Sequence, residues 1–328
     1  MDDTRVRRRL LCGMALAGCA AAAGGRAAAP GTRTDLRLLV GFPPGGATDV
    51  VARLYAEQWR APGNASVLVE NKPGAGGRLA VEAVSAAPPD GTTLLVTPAS
   101  LLTITPHAYP RSTRYDPLRD LVPVSPLCSF PFAWVVPAAH PARSLDEFRL
   151  WASARGTVVF ASPAAGSMPH LLGLKLARAW GASLEHVPYR GSAPALQDLI
   201  AGNLSSAILV LGDVLPAHLA GSVRILAHTA PDRLARLPGV PSFAESGLPA
   251  LTAQEWFGLF LPGGSSPEIL SLFHRRVGSA QLAAPVVNGL SRLDYQPFLL
   301  SPDAFAARLL AEHAEWGQAM RKMELALD

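Results

Sequence analysis

Leu36-Arg37-Leu38-Leu39-Val40 runs directly into Gly41-Phe42-Pro43-Pro44-Gly45-Gly46-Ala47-Thr48-Asp49, and this junction decides the fold. Five residues dominated by Leu and Val read as a buried strand. The prolines and glycines that follow allow neither strand nor helix and impose a turn. Beyond them Val51, Leu54, Tyr55 and Trp59 fall at i, i+3, i+4 and i+8, the apolar face of a helix. Strand, glycine-rich loop and helix in this order form the unit from which α/β sheets are assembled.

Working outward, the unit recurs. A strand over 66–70 leads into Asn71-Lys72-Pro73-Gly74-Ala75-Gly76-Gly77 and a helix over 78–87. Pro88-Pro89-Asp90-Gly91 is a turn, and 92–97 is a further buried strand. The middle of the chain repeats this grammar. It has strands at 132–136, 158–161, 184–187, 206–211 and 223–229, and helices at 144–155, 169–181 and 193–201. Ser144 is placed to cap the first of these helices. A strand over 256–261 ends at Pro262-Gly263-Gly264. Ser301-Pro302 then opens a terminal helix whose stripe Phe305, Leu309, Trp316, Met320 and Met323 is read as core. The alternation calls for parallel sheet.

The 328 residues allow about two domains, and 49% apolar against 16% charged residues describe a chain that packs a core. Arg5, Arg7, Arg8 and Arg9 precede an uncharged apolar stretch over 10–23, the parts of an export signal. Two cleavage readings stand. Leu16-Ala17-Gly18-Cys19 resembles a lipobox, with Cys19 acylated as the new first residue. Ala27-Ala28-Ala29 offers an ordinary cleavage site instead. Residues 1–34 are therefore assigned to leader and tether. Removing the segment before Cys19 takes away four of 29 basic and two of 25 acidic side chains, leaving a net charge of about +2. No basic run remains, which argues against nucleic-acid binding. No later stretch has about 20 consecutive uncharged apolar residues, so membrane association is expected through a lipid anchor alone. Of the three cysteines only Cys128 lies in the body, flanked by Leu127 and Phe130, and reads as a small core residue.

Catalytic signatures are sparse. There is no Gly-x-Ser-x-Gly elbow and no phosphate loop, and the eight histidines show no paired metal-ligand spacing, so no metal and no cofactor are expected. Ser167 and His170 lie three apart at a helix start. They allow a hydrolase pair, a capping Ser beside an ordinary His, or part of a ligand site. More telling is a repeated placement. Glycine-rich or Ser-containing loops after strands open helices near Thr48, Arg78, Met168 and Ala193. Helix N-termini carry free N–H groups and partial positive charge, and ligands of open α/β sheets sit beyond the carboxyl ends of strands. Several such loops facing one cleft suit a small carboxylate.

The stretches 40–49 and 70–77 resemble the opening of the Bug-type substrate-binding proteins of tripartite tricarboxylate transporters. The likeness continues through Pro89-Asp90-Gly91, Tyr115-Asp116-Pro117-Leu118-Arg119-Asp120, Gly166-Ser167-Met168-Pro169-His170 and Pro188-Tyr189-Arg190-Gly191-Ser192-Ala193-Pro194-Ala195. It resumes at Pro238-Gly239-Val240-Pro241-Ser242 and Trp256-Phe257-Gly258, and spans about 36–325. This resemblance implies an α/β, two-domain periplasmic-binding-protein type II fold. Each domain would be a mixed sheet flanked by helices, with the ligand cleft between domains. Chain crossings near 130 and 257 give 35–130 plus 258–328 as domain one and 131–257 as domain two.

The resemblance also implies a non-enzymatic, monomeric receptor that passes a small organic carboxylate to a membrane permease of the tripartite type. A sensor handing a signal to a membrane kinase, and a serine hydrolase using Ser167 and His170, are the alternatives. Phe42, Pro44, Gly45, Gly46, Ala47 and Asp49 would form the first wall of the site, with Thr97 and Ser100 on the same domain. Gly166, Ser167, His170, Tyr189, Gly191, Ser192 and Ala193 would form the opposite wall. Asp49 is expected to hold its loop by accepting backbone N–H groups rather than to meet an anion. Ser205 and Leu209 stand where the family often carries acids able to receive a substrate amine. This favours an uncharged or purely carboxylate substrate, with Asp213 nearby but of unclear equivalence.

Overall fold

The structure, a computed structural model, describes residues 35–60, 66–323 and 326–328. The leader, the tether and Cys19 lie outside the described residues. The chain opens with β1 (Leu36–Val40), α1 (Ala47–Trp59), β2 (Val67–Asn71), α2 (Arg78–Ser85) and β3 (Thr93–Pro98). Two single-turn helices, α3 (Ser100–Thr103) and α4 (Thr105–Ala108), lead to β4 (Leu121–Phe130). Next come β5 (Phe132–Pro137), α5 (Leu145–Ser153), β6 (Val158–Ser162), α6 (Met168–Trp180), β7 (Leu184–Pro188) and α7 (Ser192–Ile200). They are followed by β8 (Ser206–Val210), α8 (Leu211–Leu219), β9 (Val223–His228) and β10 (Glu255–Pro262). The chain closes with α9 (Pro267–Gln281), α10 (Ala284–Arg292), β11 (Gln296–Pro297) and α11 (Pro302–Met323).

Two mixed sheets flanked by helices result. The first has six strands in the order β11-β4-β10-β3-β1-β2, and the second five in the order β7-β6-β8-β5-β9. Strands β2, β1 and β3 are parallel, as the strand-loop-helix units demand, and so are β7, β6 and β8. Both sheets are mixed, as the resemblance implies, because the pairing turns antiparallel where the chain passes between sheets. There β10 runs antiparallel to both β3 and β4, and β5 runs antiparallel to β8 and β9. Only Pro131 separates β4 of the first sheet from β5 of the second, and the chain returns to the first sheet at Glu255.

Strand β4 carries Pro123 and Pro126, residues without an N–H for the ladder. It stays in the sheet because its pairing with β10 slips twice, between Phe257 and Gly258 and between Leu259 and Phe260. Those bulges absorb the prolines. Each sheet has its own aromatic packing. Trp134, Phe148 and Trp180 pack together in the second sheet, while Trp256, Phe260 and Phe305 pack in the first. Fully burying a Phe such as Phe148, Phe260 or Phe305 contributes about 1.5–3 kcal/mol. In the terminal helix Phe305, Leu309 and Met320 are buried as the stripe predicts. Cys128 is fully buried with a free thiol that burial pushes well above its ordinary range.

Candidate functional site

The strand-to-helix loops of both sheets converge on a cavity of about 50 Å³. By volume that is room for a few water molecules. Phe42, Gly46, Ala47 and Thr48 reach it from the β1–α1 loop, and Pro98 and Ser100 from the end of β3. The second sheet supplies Pro163, Ala164, Ser167 and Pro169 before and within α6, Gly191 to Pro194 at the start of α7, and Val210 and Asp213 around the start of α8. Phe130, Phe132, Glu255 and Phe257, beside the two crossings between sheets, complete the wall.

Serine side chains cap the starts of three helices away from the cavity. Ser144 caps α5 through the Glu147 N–H, Ser266 caps α9 through the Ile269 N–H, and the Ala304 N–H at the start of α11 meets Ser301 Oγ. Helices α1, α6 and α7, whose first turns line the cavity, begin at Gly46, Ser167 and Gly191 with no side-chain cap. Gly191 adopts φ 108°, a conformation costly for other residues, and so aims the α7 N-terminus. Helices α2 and α10 also lack a side-chain cap, so what sets α1, α6 and α7 apart is that their first turns meet at one cavity, an arrangement suited to an anion.

The expected site residues divide by position. Phe42, Gly46, Ala47, Ser100, Ser167, Gly191, Ser192 and Ala193 line the cavity. Pro44 and Gly45 lie on the exposed side of the first loop. Thr97 is buried on β3 with its hydroxyl turned to the Pro98 carbonyl. Gly166 packs on the ring of Tyr109, so that a Cβ there would lie 2.9 Å from it. Asp49 is buried beneath the loop. Its Oδ2 accepts from the Gly45 N–H at 2.9 Å and from Arg53 Nε at 2.8 Å, and its Oδ1 accepts from Asn71 Nδ2 at 2.9 Å. Asn71 Nδ2 also donates to the Phe42 carbonyl, tying the first loop to the end of β2. Burial raises the Asp49 pKa, but Arg53, the Gly45 amide and Asn71 outweigh it and hold the carboxyl below its usual range.

Ser167 and His170 do not form a nucleophile–base pair. Ser167 Oγ donates to the Ala164 carbonyl at 2.6 Å, and His170 Nδ1 accepts the Gly166 N–H at 3.0 Å. The His170 ring stacks on His186 with centroids 3.8 Å apart. Burial pushes His170 down to about 4, and burial together with His170 pushes His186 down to about 3.

Tyr189 donates to Asp198 and lines a second cavity, of about 310 Å³, with Arg78, Thr105, Tyr109 and Arg190. The Arg78 guanidinium lies 4.1 Å over the Tyr109 ring. Its buried Nε and Nη1 have no hydrogen-bond partner among the described residues.

Two acids in the first cavity exceed what the residue pattern indicated. Glu255 Oε1 accepts the Ser100 N–H at 2.6 Å, and burial pushes its carboxyl up to about 7. Asp213, in the first turn of α8, is ringed by protein yet keeps part of its surface on the cavity. Burial pushes it up to about 6, although the Ser192 hydroxyl and the Ala47 amide favour its charged form. The available signal was an acid within an apolar run, Ala207 to Leu215 for one and Trp256 to Leu261 beside the other.

Two mixed sheets enclosing a small site with loops at helix N-termini define the class of two-lobed solute-binding folds. The chain belongs to the Tripartite tricarboxylate transporter family receptor family, which it matches over residues 51–325. Protein BugT of Bordetella pertussis is 34% identical over 288 residues, covering 88% of each chain. The R. palustris protein Rpa4515, solved with adipate, aligns with a TM-score of 0.84 at 29% identity, covering 89% of this chain and 98% of that one. MatC from Rhodopseudomonas palustris, solved with bound malate, aligns at 0.80 and 29% identity over 87% and 98%.

Proposed function

We propose that this chain is a periplasmic receptor that captures a small organic carboxylate between two lobes and delivers it to a membrane permease of the tripartite type. The observation that carries this reading is the convergence on one cavity of the first turns of α1, α6 and α7, none of which has a side-chain cap. Family membership and relatives solved with malate and adipate support a carboxylate ligand. Arg78 and Arg190 in the adjoining cavity add positive potential that draws an anion inward.

In this proposal the six-stranded sheet forms one lobe and the five-stranded sheet the other. The return crossing falls just before Glu255, since residues 255–257 pair in the first sheet. Two crossings side by side suit a hinge, and a ligand larger than a few waters enters by parting the lobes. The leader over residues 1–34 directs export, and Cys19 is the site of a lipid anchor.

Native mass spectrometry of the freshly purified full chain tests the receptor reading. The expected result is one small-molecule adduct per chain with the mass of an organic acid, its retention unchanged by chelator. An adduct lost on chelation, or no adduct together with no shift in melting temperature across a panel of carboxylates, would overturn it.

A further inference from the structure

We infer that the ligand carries a protonated amine as well as a carboxylate, and that Asp213 and Glu255 are the residues that select it. This rests on the receptor reading above and names the substrate class of the same cavity.

The charge inventory of the wall is one-sided. Asp213 and Glu255 both line the cavity, and among the described residues no Lys, Arg or His does. The rest of the surface is Phe, Pro, Gly, Ala, Val and hydroxyl side chains. The acids come from different elements, Asp213 from α8 beyond the second sheet and Glu255 from the first residue of β10. A ligand closed between the lobes is therefore met by a carboxyl from each.

Neither acid is matched by a cation among the described residues. Glu255 is 3% exposed, yet only Ser100 engages it among the described residues, through its N–H at 2.6 Å and its hydroxyl, and the one charged group that acts on it, Glu312, is an acid too. Glu312 itself is turned away to Trp256 Nε1 and Arg308. Asp213 faces the Ser192 hydroxyl and the Ala47 amide, both neutral. On its other side the Tyr295 ring packs against Gly212, with the hydroxyl buried and unpartnered among the described residues.

A buried, unpaired carboxyl is costly, and two in one small cavity are more so. Asp213 already engages the Ala47 amide at the start of α1 and the Ser192 hydroxyl at the start of α7. An ammonium group relieves this, since it offers three donors and one positive charge to the two acids. The ligand carboxylate then has the α6 N-terminus and the outer turns of α1 and α7. This departs from the expectation drawn from Ser205 and Leu209. Here the acids sit at 213 and 255 instead.

Matched probes separate the possibilities. Succinate and adipate are compared by calorimetry with 4-aminobutyrate and 6-aminohexanoate, which replace one carboxylate by an aminomethyl group at the same carbon count, at pH 5 and pH 8. The amino carboxylate is expected to bind at least tenfold tighter at pH 8, with the margin shrinking at pH 5 as the acids protonate. Asp213→Asn and Glu255→Gln should each cut the pH 8 preference severalfold, with an unchanged circular dichroism spectrum confirming the fold. If one variant fails to fold, the other and the wild-type pH comparison decide. A preference for dicarboxylates at pH 8, unmoved by either variant, would overturn this inference and leave the receptor reading standing. Binding of neither series would overturn both.

Discussion

The Gly45 amide donates to Asp49 Oδ2 at 2.9 Å, so the acid four residues after this glycine holds the loop that precedes it. The same carboxyl takes Arg53 Nε and Asn71 Nδ2, and Asn71 reaches the Phe42 carbonyl. One buried acid thereby fixes the wall on which Phe42, Gly46 and Ala47 face the cavity.

Asp49→Asn should remove about 1–3 kcal/mol of stability, because an amide cannot accept all three donors. It should weaken carboxylate binding by less than tenfold, by loosening the loop. Since the native carboxyl titrates below its unfolded value, its contribution is present above the unfolded pKa and is lost as pH falls through the native one. Wild type should therefore lose more melting temperature than Asp49→Asn on acidification below about pH 4. Tenfold tighter carboxylate binding by the variant would show that Asp49 repels the ligand instead.

Gly41→Ala tests how closely the two glycine loops must approach. A Cβ at Gly41 would lie 2.6 Å from the Gly77 carbonyl oxygen, backbone against backbone, with no side chain free to yield. Overpacking of this kind costs about 1–3 kcal/mol and should shift the first loop. Gly239→Ala is the control, because a Cβ there meets nothing within 4 Å. Equal melting temperatures for the two variants would contradict the close approach.

His170 and His186 should both be neutral at pH 6 in the folded protein, as read by the ring resonances in heteronuclear NMR. Their native pKa values lie below that of an unfolded His, so the unfolded chain binds more protons as pH drops. Stability from this pair is full above about pH 6.5 and declines toward pH 4. The raised carboxyls of Asp213 and Glu255 act in the opposite sense over part of this window. The effect is therefore read from His186→Gln against wild type. A ring charged at pH 6 would contradict the burial described here.

Labelling with a fatty-acid analogue should mark the wild-type chain in a bacterial host and leave Cys19→Ser unmarked. An unlabelled protein with its N-terminus near Pro30 would favour cleavage after Ala29, with no consequence for the ligand site.

Much of the architecture was legible because the strand-loop-helix grammar is local: Leu36–Val40, the face of Val51, Tyr55 and Trp59, and the Ser144 cap are set by neighbours in sequence. What escaped depends on partners far along the chain. The strand over Leu121–Phe130 is disguised by Pro123 and Pro126, which only the bulged pairing with β10 accommodates. Antiparallel pairing at the crossings is likewise set by where the chain returns, not by any local pattern. In the candidate site the glycine and serine loops announced themselves by composition. Glu255 did not, because its meaning comes from Ser100, 155 residues earlier, and from the cavity both border.

Isothermal titration of the full-length chain, stripped of bound solute by unfolding and refolding, tests the central claim most directly. The titrants are small mono-, di- and tricarboxylates with and without an amine. The account predicts saturable one-to-one binding of at least one of them, unaffected by chelator and weakened when Ser192→Ala and Ser167→Ala are combined. Heats indistinguishable from dilution across the whole panel, from a chain with a native circular dichroism spectrum, would contradict it.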